Sequence, residues 1–312
     1  MSQNNVQLQN GNGPLAGLRN QLINGGINIS QRGQSVTVTG QTGYGCDRWA
    51  KVNASGTVAT TISQVANTIT SAPSASMMTF ASTDNTASRL RQPIEITPGN
   101  VAPFLPGTTW TLSWYSSAAL ATTPGLGFAE NLENTTKPTN SNFTAGPILS
   151  LGGNRYSVTY TAPTASGITT TNTQCVNVQF NPIGTSWSVT CVQLEPGPVA
   201  TPFEQRPIAL ELSLCQRYYE MVVVGGVVDG VGGGDYFGGA VSFAVEKRVV
   251  PTLVYPVTLG NSNINSVSMQ SSWNGWTTQV PPTKYGGLYS FRTYTAGLLT
   301  YQYERWSFDA EL

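Results

Sequence analysis

The sequence predicts an all-β chain, a sandwich or jelly roll rather than an α/β fold. Three observations carry this. Apolar residues recur with period two in short runs, such as Trp110, Leu112 and Trp114 or Val176, Val178 and Phe180, with Thr, Ser or Asn between them. Pro/Gly/Asn clusters separate the runs, and they are turn signals. Almost no segment repeats its apolar residues at helical spacing, as the crossovers of a parallel sheet would require.

Taken in chain order, the first residues are rich in Gly, Asn and Gln around Gly11, Gly13, Pro14, Gly17, Gly25 and Gly26. They hold too little apolar surface for a core of their own. Residues 1–25 are therefore either an arm that packs against something else or a frayed terminus. A short helical turn is expected around Leu15 to Leu22. The alternating runs then begin: Val36 and Val38; Trp110 to Trp114; Tyr156, Val158 and Tyr160; Val176 to Phe180; Val241, Phe243 and Val245; Tyr301 and Tyr303. Turns are expected at 97–100, 124–125, 152–154 and 181–184.

Residues 192–220 form a seam between two textures, Thr/Ser/Asn-rich strands before it and a Gly- and aromatic-rich stretch after it. Within it, Leu210, Leu214 and Tyr218 fall at i, i+4 and i+8, a single apolar stripe. Pro207 fits a helix start, and the β-branched run at 222–224 ends the pattern. The expected domains are an arm at 1–25, a first β domain at 26–205 and a C-terminal β domain at 206–312.

Composition narrows the chemistry. The 312 residues include 15 basic and 15 acidic side chains, only 10% of the chain and no net charge. Nothing here offers an electrostatic footprint for nucleic acid or an anionic membrane. Ser, Thr, Asn, Gln and Gly must cover the surface instead, as suits secreted or particle-bound proteins. The first twelve residues carry no export signal, so synthesis in a cytosol is expected. The apolar run at 221–228 falls far short of the roughly 20 residues that cross a bilayer.

The chain has no histidine, which removes the usual general base, the triad imidazole and the usual second zinc ligand. Asp84, Glu95, Glu130 and Glu133 lie in the first domain, but their spacing specifies no carboxylate pair, and solvated or ion-paired roles account for them. The Gly-rich run at 225–239 has neither a Gly-Lys-Ser/Thr element nor a following helix, so a hairpin loop or a close backbone approach explains it better than a phosphate loop. Asp229 and Asp235 match no calcium-loop spacing. No catalytic residue, metal or cofactor is expected.

Four cysteines, Cys46, Cys175, Cys191 and Cys215, lack C-x-x-C spacing. Cys175 and Cys191 are equidistant from Ile183, so a symmetric hairpin would place them opposite each other. They are either a disulfide or, as a reducing compartment favours, two buried thiols. The sequons at Asn28, Asn53, Asn134 and Asn142 are what chance supplies in such a composition. Among the aromatics, Trp273, Trp276 and Tyr285 lie in turn-rich sequence beside Asn, Gln and Lys. Exposed rings there would make a glycan-binding platform; burial at a subunit interface is the alternative.

Several motifs fall in one order: Leu22-Ile23-Asn24-Gly25-Gly26, Gln31-Arg32-Gly33, Gly43-Tyr44-Gly45-Cys46-Asp47-Arg48-Trp49, Arg89-Leu90-Arg91-Gln92-Pro93-Ile94-Glu95, and Trp110-Thr111-Leu112-Ser113-Trp114-Tyr115. They close with Val192-Gln193-Leu194-Glu195, Ala200-Thr201-Pro202-Phe203-Glu204 and Leu214-Cys215-Gln216-Arg217-Tyr218-Tyr219. Over residues 20–220 this resembles the carbohydrate-binding-module-like jelly rolls of bacteriophage tail fibres and other virion proteins. The stretch from Met221, with Lys247-Arg248-Val249-Val250-Pro251-Thr252-Leu253 where the family usually has Met-Arg-x-x-Pro-Thr-Val, looks like the C-terminal β domain that often trimerises in such fibres.

The resemblance implies a non-enzymatic virion protein, a homotrimer on the virion surface assembled in the host cytoplasm. Its N-terminal arm would meet other virion proteins and its outer end a host polysaccharide, with no nucleic acid and no membrane insertion. A capsid or neck decoration protein is the alternative placement, and the binding module of a polysaccharide-degrading enzyme a third. Trp49, Trp110 and Trp114 are expected as core anchors, Asp47 and Arg48 as a pair at a strand start, Glu95 and Glu195 as strand-end acceptors, and the helix stripe near the trimer axis.

Overall fold

The computed structural model describes residues 18–40, 42–53, 58–83, 88–96, 104–129, 143–163, 175–181, 185–229, 236–254, 264–269, 283–293 and 299–311. It is all-β with one short helix, a jelly-roll sandwich followed by a smaller β unit. The chain divides into compact units at 1–211 and 212–312.

Among the described residues the first unit holds thirteen strands, β1 (Ser35–Val38), β2 (Thr42–Tyr44), β3 (Ala50–Asn53), β4 (Thr60–Ala66), β5 (Ser76–Ser82), β6 (Ser88–Glu95), β7 (Thr109–Ser116), β8 (Gly125–Ala129), β9 (Thr144–Ala145), β10 (Leu149–Gly152), β11 (Arg155–Thr161), β12 (Cys175–Phe180) and β13 (Ser186–Pro196). An eight-stranded sheet runs in the order β1-β4-β5-β13-β7-β11-β10, with β9 also on β11, and a five-stranded sheet runs β2-β3-β6-β12-β8. The pairings are antiparallel.

Alternation along the strands decides which side chains go inward. On β7 and β11 the register sets Trp110 opposite Tyr160, Leu112 opposite Val158 and Trp114 opposite Tyr156, so one face of the pair is a continuous apolar ladder. From the facing sheet, Val176, Val178 and Phe180 of β12 complete the core. Phe180 is the hub, its ring 5.5 Å from both Trp114 and Trp187 and 6.4 Å from Trp49. A second aromatic group gathers Phe104, Trp110, Phe128 and Phe143, with the Phe104 and Trp110 centroids 4.3 Å apart. The three tryptophans expected as anchors are all buried.

One strand is interrupted. Between Thr190 and Gln193 the β13–β7 register shifts, and Cys191 takes a positive φ of 51°. At that bulge β13 has lost β5 from its other side, and residues 20–25 take its place. Gln21 N donates to Leu194 O at 2.8 Å and Val192 N to Gly25 O at 2.9 Å. The Asn20 carboxamide completes the join, accepting from Leu194 N at 3.0 Å and donating to Val192 O at 3.1 Å. A Cβ on Gly25 would stand 2.2 Å from Val192 O, so only glycine fits there. The described part of the expected arm is thus a component of the sandwich, and residues 18–22 form no helix.

After β13 the chain turns back across the outer face of the eight-stranded sheet. Thr111 Oγ1 donates to Gly197 O at 2.7 Å, Thr159 Oγ1 to Pro198 O at 3.3 Å, and the Arg155 guanidinium to Thr201 O. Glu195 accepts from Thr201 N at 2.9 Å and from Gln193 Nε2 at 2.8 Å, as a strand-end acceptor should. This crossing explains why outward positions such as Thr111, Ser113 and Gln193 are buried although they are polar.

The helix α1 (Ile208–Gln216) follows Pro207. Its buried side is offset from the expected stripe. Glu211 and Cys215 point inward, Tyr218 is buried beyond the helix end, Leu214 is half-buried and Leu210 is 38% exposed. Glu211 faces inward because it accepts from Asn24 N and pairs with Arg206 at 3.4 Å.

The second unit has β14 (Tyr219–Asp229), β15 (Tyr236–Ser242), β16 (Thr252–Val254), β17 (Ile264–Met269), β18 (Gly286–Thr293) and β19 (Leu299–Asp309). Its sheets run β14-β19-β16 and β15-β18-β17. Gly225 and Gly226 sit inside β14 opposite Tyr303 and Gln302. The alternation at 241–245 overran its strand, since β15 ends at Ser242. Lys247 is fully buried; its ammonium donates to Gln216 O and pairs with Glu220, and it lies 4.8 Å from the Phe243 ring centre. Burial draws the Lys247 pKa down while Glu220 opposes the shift. Arg248 Nε donates to Ala310 O at 3.0 Å. The Lys247-Arg248 motif therefore ties the helix end and the C-terminal strand together.

None of the four cysteines is in a disulfide, and all are buried. The hairpin that would oppose Cys175 and Cys191 does not form, because β12 and β13 belong to different sheets. Desolvation pushes the Cys46 thiol from 9.0 up to about 12 and the Cys191 thiol up to about 11. A folded-state pKa raised this way contributes stability that is intact below pH 9 and lost as pH rises through 11 to 12. The native protein is expected to leave a chromogenic disulfide reagent unreacted at pH 8 and to release all four thiols in denaturant, with urea midpoints falling steadily from pH 9 upward. A flat midpoint over that range contradicts the assignment. A chain beginning at residue 18 is expected to keep the sandwich. One beginning at residue 26 loses Leu22 and Ile23 with their hydrogen bonds, roughly 5 kcal/mol by area and comparable with the whole stability of a domain. Its loss of a cooperative thermal transition checks this.

Candidate functional site

The aromatic platform read from the sequence is only partly in view. Trp273 and Trp276 lie outside the described residues. Tyr285 is 66% exposed, in a turn where its own N–H donates to Thr283 Oγ1 at 3.2 Å. Of the carboxylates weighed as catalytic, Asp84, Glu130 and Glu133 also lie outside the described residues, and Glu95 is half-buried at the end of β6. Among the described residues no group of three His, Cys, Asp or Glu side chains is placed to hold a metal ion, and no helix is long and apolar enough to cross a membrane.

The structure brings together a set that the sequence reading missed. On β12, the residues between the core valines, Cys175, Asn177 and Gln179, point to the outer face of the five-stranded sheet. Register then aligns each with its neighbours. Gln179 stands between Arg91 of β6 and Gly125 of β8, and Asn177 between Pro93 and Gly127. Across β6, Arg91 faces Ala50 of β3, which faces Tyr44 of β2. The outcome is a row of guanidinium, amide and phenol groups, with Gly125 and Gly127 of β8 at one end.

Its electrostatics are those of a nearly dry polar layer. Arg91 is 2% exposed and donates to Gln179 Oε1 at 2.9 Å. Burial pulls the Arg91 pKa down, since a charge taken out of water is costly unless hydrogen bonds offset the loss. Asn177 is 1% exposed; its Oδ1 receives a weak thiol contact from Cys175 at 3.9 Å, while its Nδ2 has no protein partner. An orphaned buried donor of this kind marks a place where a ligand atom or a water belongs. Arg89, half-buried, projects from the same side of β6, and the Arg32 guanidinium covers the Tyr44 ring at 5.0 Å.

The loops at the β2–β3 end are held by charge. Asp47 accepts from Gln31 N at 2.9 Å and Gln31 Nε2 at 2.6 Å, and Arg48, in a left-handed conformation at φ 68°, donates to Pro93 O at 2.6 Å. Lys51 is completely buried with its ammonium among the carbonyls of Val38, Gly40 and Val58. Desolvation lowers its pKa. The signals in the sequence are the Arg-x-Arg of β6 and the amides of β12 at alternate positions.

Asn177→Ala removes a side-chain donor without a protein partner and is expected to cost under about 1 kcal/mol, whereas Gln179→Ala removes a charge-assisted acceptor of the buried Arg91 guanidinium and costs about 1–3 kcal/mol. Urea unfolding of both variants checks the difference, and equal losses contradict it.

Comparison with protein-family models finds no match, and comparison with curated proteins finds none. Among solved structures, the chain is similar to the enzymatically active domain of tailspike protein 4 from bacteriophage CBA120, at 12% identity and a TM-score of 0.31, over 57% of this chain and 21% of that one. It thus spans about a fifth of the tailspike chain's length. It is also similar to a putative sugar binding protein from Bacteroides thetaiotaomicron, at 15% identity and a TM-score of 0.35, over 57% of this chain and all of that one.

Proposed function

We propose that the chain is a non-enzymatic structural protein of a phage particle, a tail fibre-like appendage on the virion surface that binds host-surface glycan as a homotrimer. The observation that carries the binding role is the partnerless Asn177 amide in the Arg91–Gln179 row, beside the glycines of β8. Amide and guanidinium groups are matched to hydroxyl-rich ligands, because each offers several donors or acceptors in fixed geometry. A chain with no net charge and only 10% charged residues holds its target by hydrogen bonds and stacking rather than by long-range attraction. The order of motifs over residues 20–220 supports the phage assignment.

Exposed apolar groups support self-association. Ile208 is 58% exposed beside Leu210 on the helix, and Val223 is 63% exposed beside Met221 on β14, whose free edge has no partner among the described residues. Such groups are at home against another subunit. Three copies make weak single-sugar contacts effective through raised local concentration.

Full-length protein is expected to bind bacterial cells and their isolated envelope polysaccharide, and to sediment as a trimer. Asn177→Ala is expected to weaken each contact about tenfold, the equivalent of 1.4 kcal/mol, with folding intact. Loss only in Trp273→Ala/Trp276→Ala moves the site to the second unit. Saturable binding to empty capsids alone overturns the adhesion role, and release of reducing sugar overturns the non-enzymatic one.

A further inference from the structure

The places where the chain enters and leaves the sandwich are bonded directly to each other. Arg206 is the centre of this join. Its guanidinium donates to Asn20 O and, at 3.0 Å, to Leu22 O, while pairing with Glu204 at 3.7 Å and Glu211 at 3.4 Å. The two carboxylates reach across in turn: Glu204 Oε2 accepts from Asn20 N at 2.7 Å, and Glu211 Oε1 accepts from Asn24 N. One step outward, Arg19 donates to Pro202 O at 2.7 Å and pairs with Glu195 at 3.3 Å. Apart from the Arg206 pairs with Glu204 and Glu211, which lie within the outgoing segment, these ties join residues 19–24 to residues 195–211, and the Arg206–Asn20 bond spans 186 residues of sequence.

Charge-assisted bonds between fixed planar groups are the stronger class, and here several act in parallel along a short double segment. The carbonyls that receive Arg206 are on the incoming chain and the carboxylates on the outgoing one, so the guanidinium bridges the two rather than bracing either alone. The Arg206 side chain is itself only 3% exposed, which shelters the node from competing water.

We infer that this node is a mechanical clasp: tension applied between the N-terminal residues and the second unit is carried by Arg206 and its carboxylates, and the sandwich core is bypassed until they part. The core then opens in one step, together with the pairing of residues 20–25 against Val192 and Leu194. The inference is independent of whether the protein binds glycan.

The test is to stretch the full chain by its two ends in single-molecule force spectroscopy. The wild type is expected to show one all-or-none lengthening of roughly 600 Å for the sandwich, from about 3.4 Å per residue released. Arg206→Met is expected to lower its rupture force about twofold, since the charge-assisted ties make up most of the node. Leu112→Ala, in the core and away from the node, is expected to lower the urea midpoint yet leave the rupture force at its wild-type value. Should Arg206→Met fail to fold, Glu204→Gln removes the negative charge that pairs with Arg206 and receives Asn20 N, and carries the same expectation. A sandwich that lengthens in several smaller steps, or a Leu112→Ala rupture force reduced as much as that of Arg206→Met or Glu204→Gln, overturns the clasp.

Discussion

The break in β13 at Cys191–Val192 is the constraint on which the first unit depends. A sheet of this width needs β13 paired on both sides, and β5 serves only its first half. The remaining donors and acceptors, Val192 and Leu194, sit at full burial, where an unmet backbone group costs about as much as a lost hydrogen bond. Residues 20–25 satisfy them, with Asn20 acting through both its backbone and its side chain. Once that segment is in place, Asn24 can accept the Trp49 indole N–H through its carbonyl at 3.1 Å, and Ile23 can exchange bonds with Gln92 at 2.8 Å in each direction. The two sheets are thereby joined through a piece of chain that belongs to neither.

Much of the fold was legible because it follows from alternation alone. Trp110, Leu112 and Trp114 announce their strand and its inward face, and Gly152-Gly153-Asn154 announces the turn into β11, where all three residues take positive φ. The helix was legible from Pro207 and its spacing, but not its orientation. Its inward face is set by Glu211, a charged residue whose burial makes sense only once Asn24 and Arg206 are known to be near. Likewise nothing in the N-terminal Gly/Asn-rich sequence tells that its last residues complete a distant strand, because the complementary break in β13 is written in backbone geometry rather than in residue type.

The candidate site was hidden for a related reason. Asn177 and Gln179 read as the polar side of a half-exposed strand, the usual place for such residues. Only the register across β8, β12, β6 and β3 shows that they stand in a row with Arg91 and that all of them are buried. Polar residues alternating with core positions mark only the other face of a strand, and here that face carries a second, polar layer outside the apolar one. Exposed aromatics were the more conspicuous signal in the sequence, and Tyr285 does stand out from the surface.

The linker lying across the eight-stranded sheet has one more consequence. By returning to the point where the chain entered, it makes the beginning and the end of the sandwich near neighbours, and a domain with adjacent ends can be spliced into a loop of another protein without stretching its host. Residues 18–211 therefore have the form of a transferable cassette. The pieces that close it, Asn20, Arg206 and Glu211, travel at its two margins, so a recombination boundary drawn at the first and last regular strand would leave both behind.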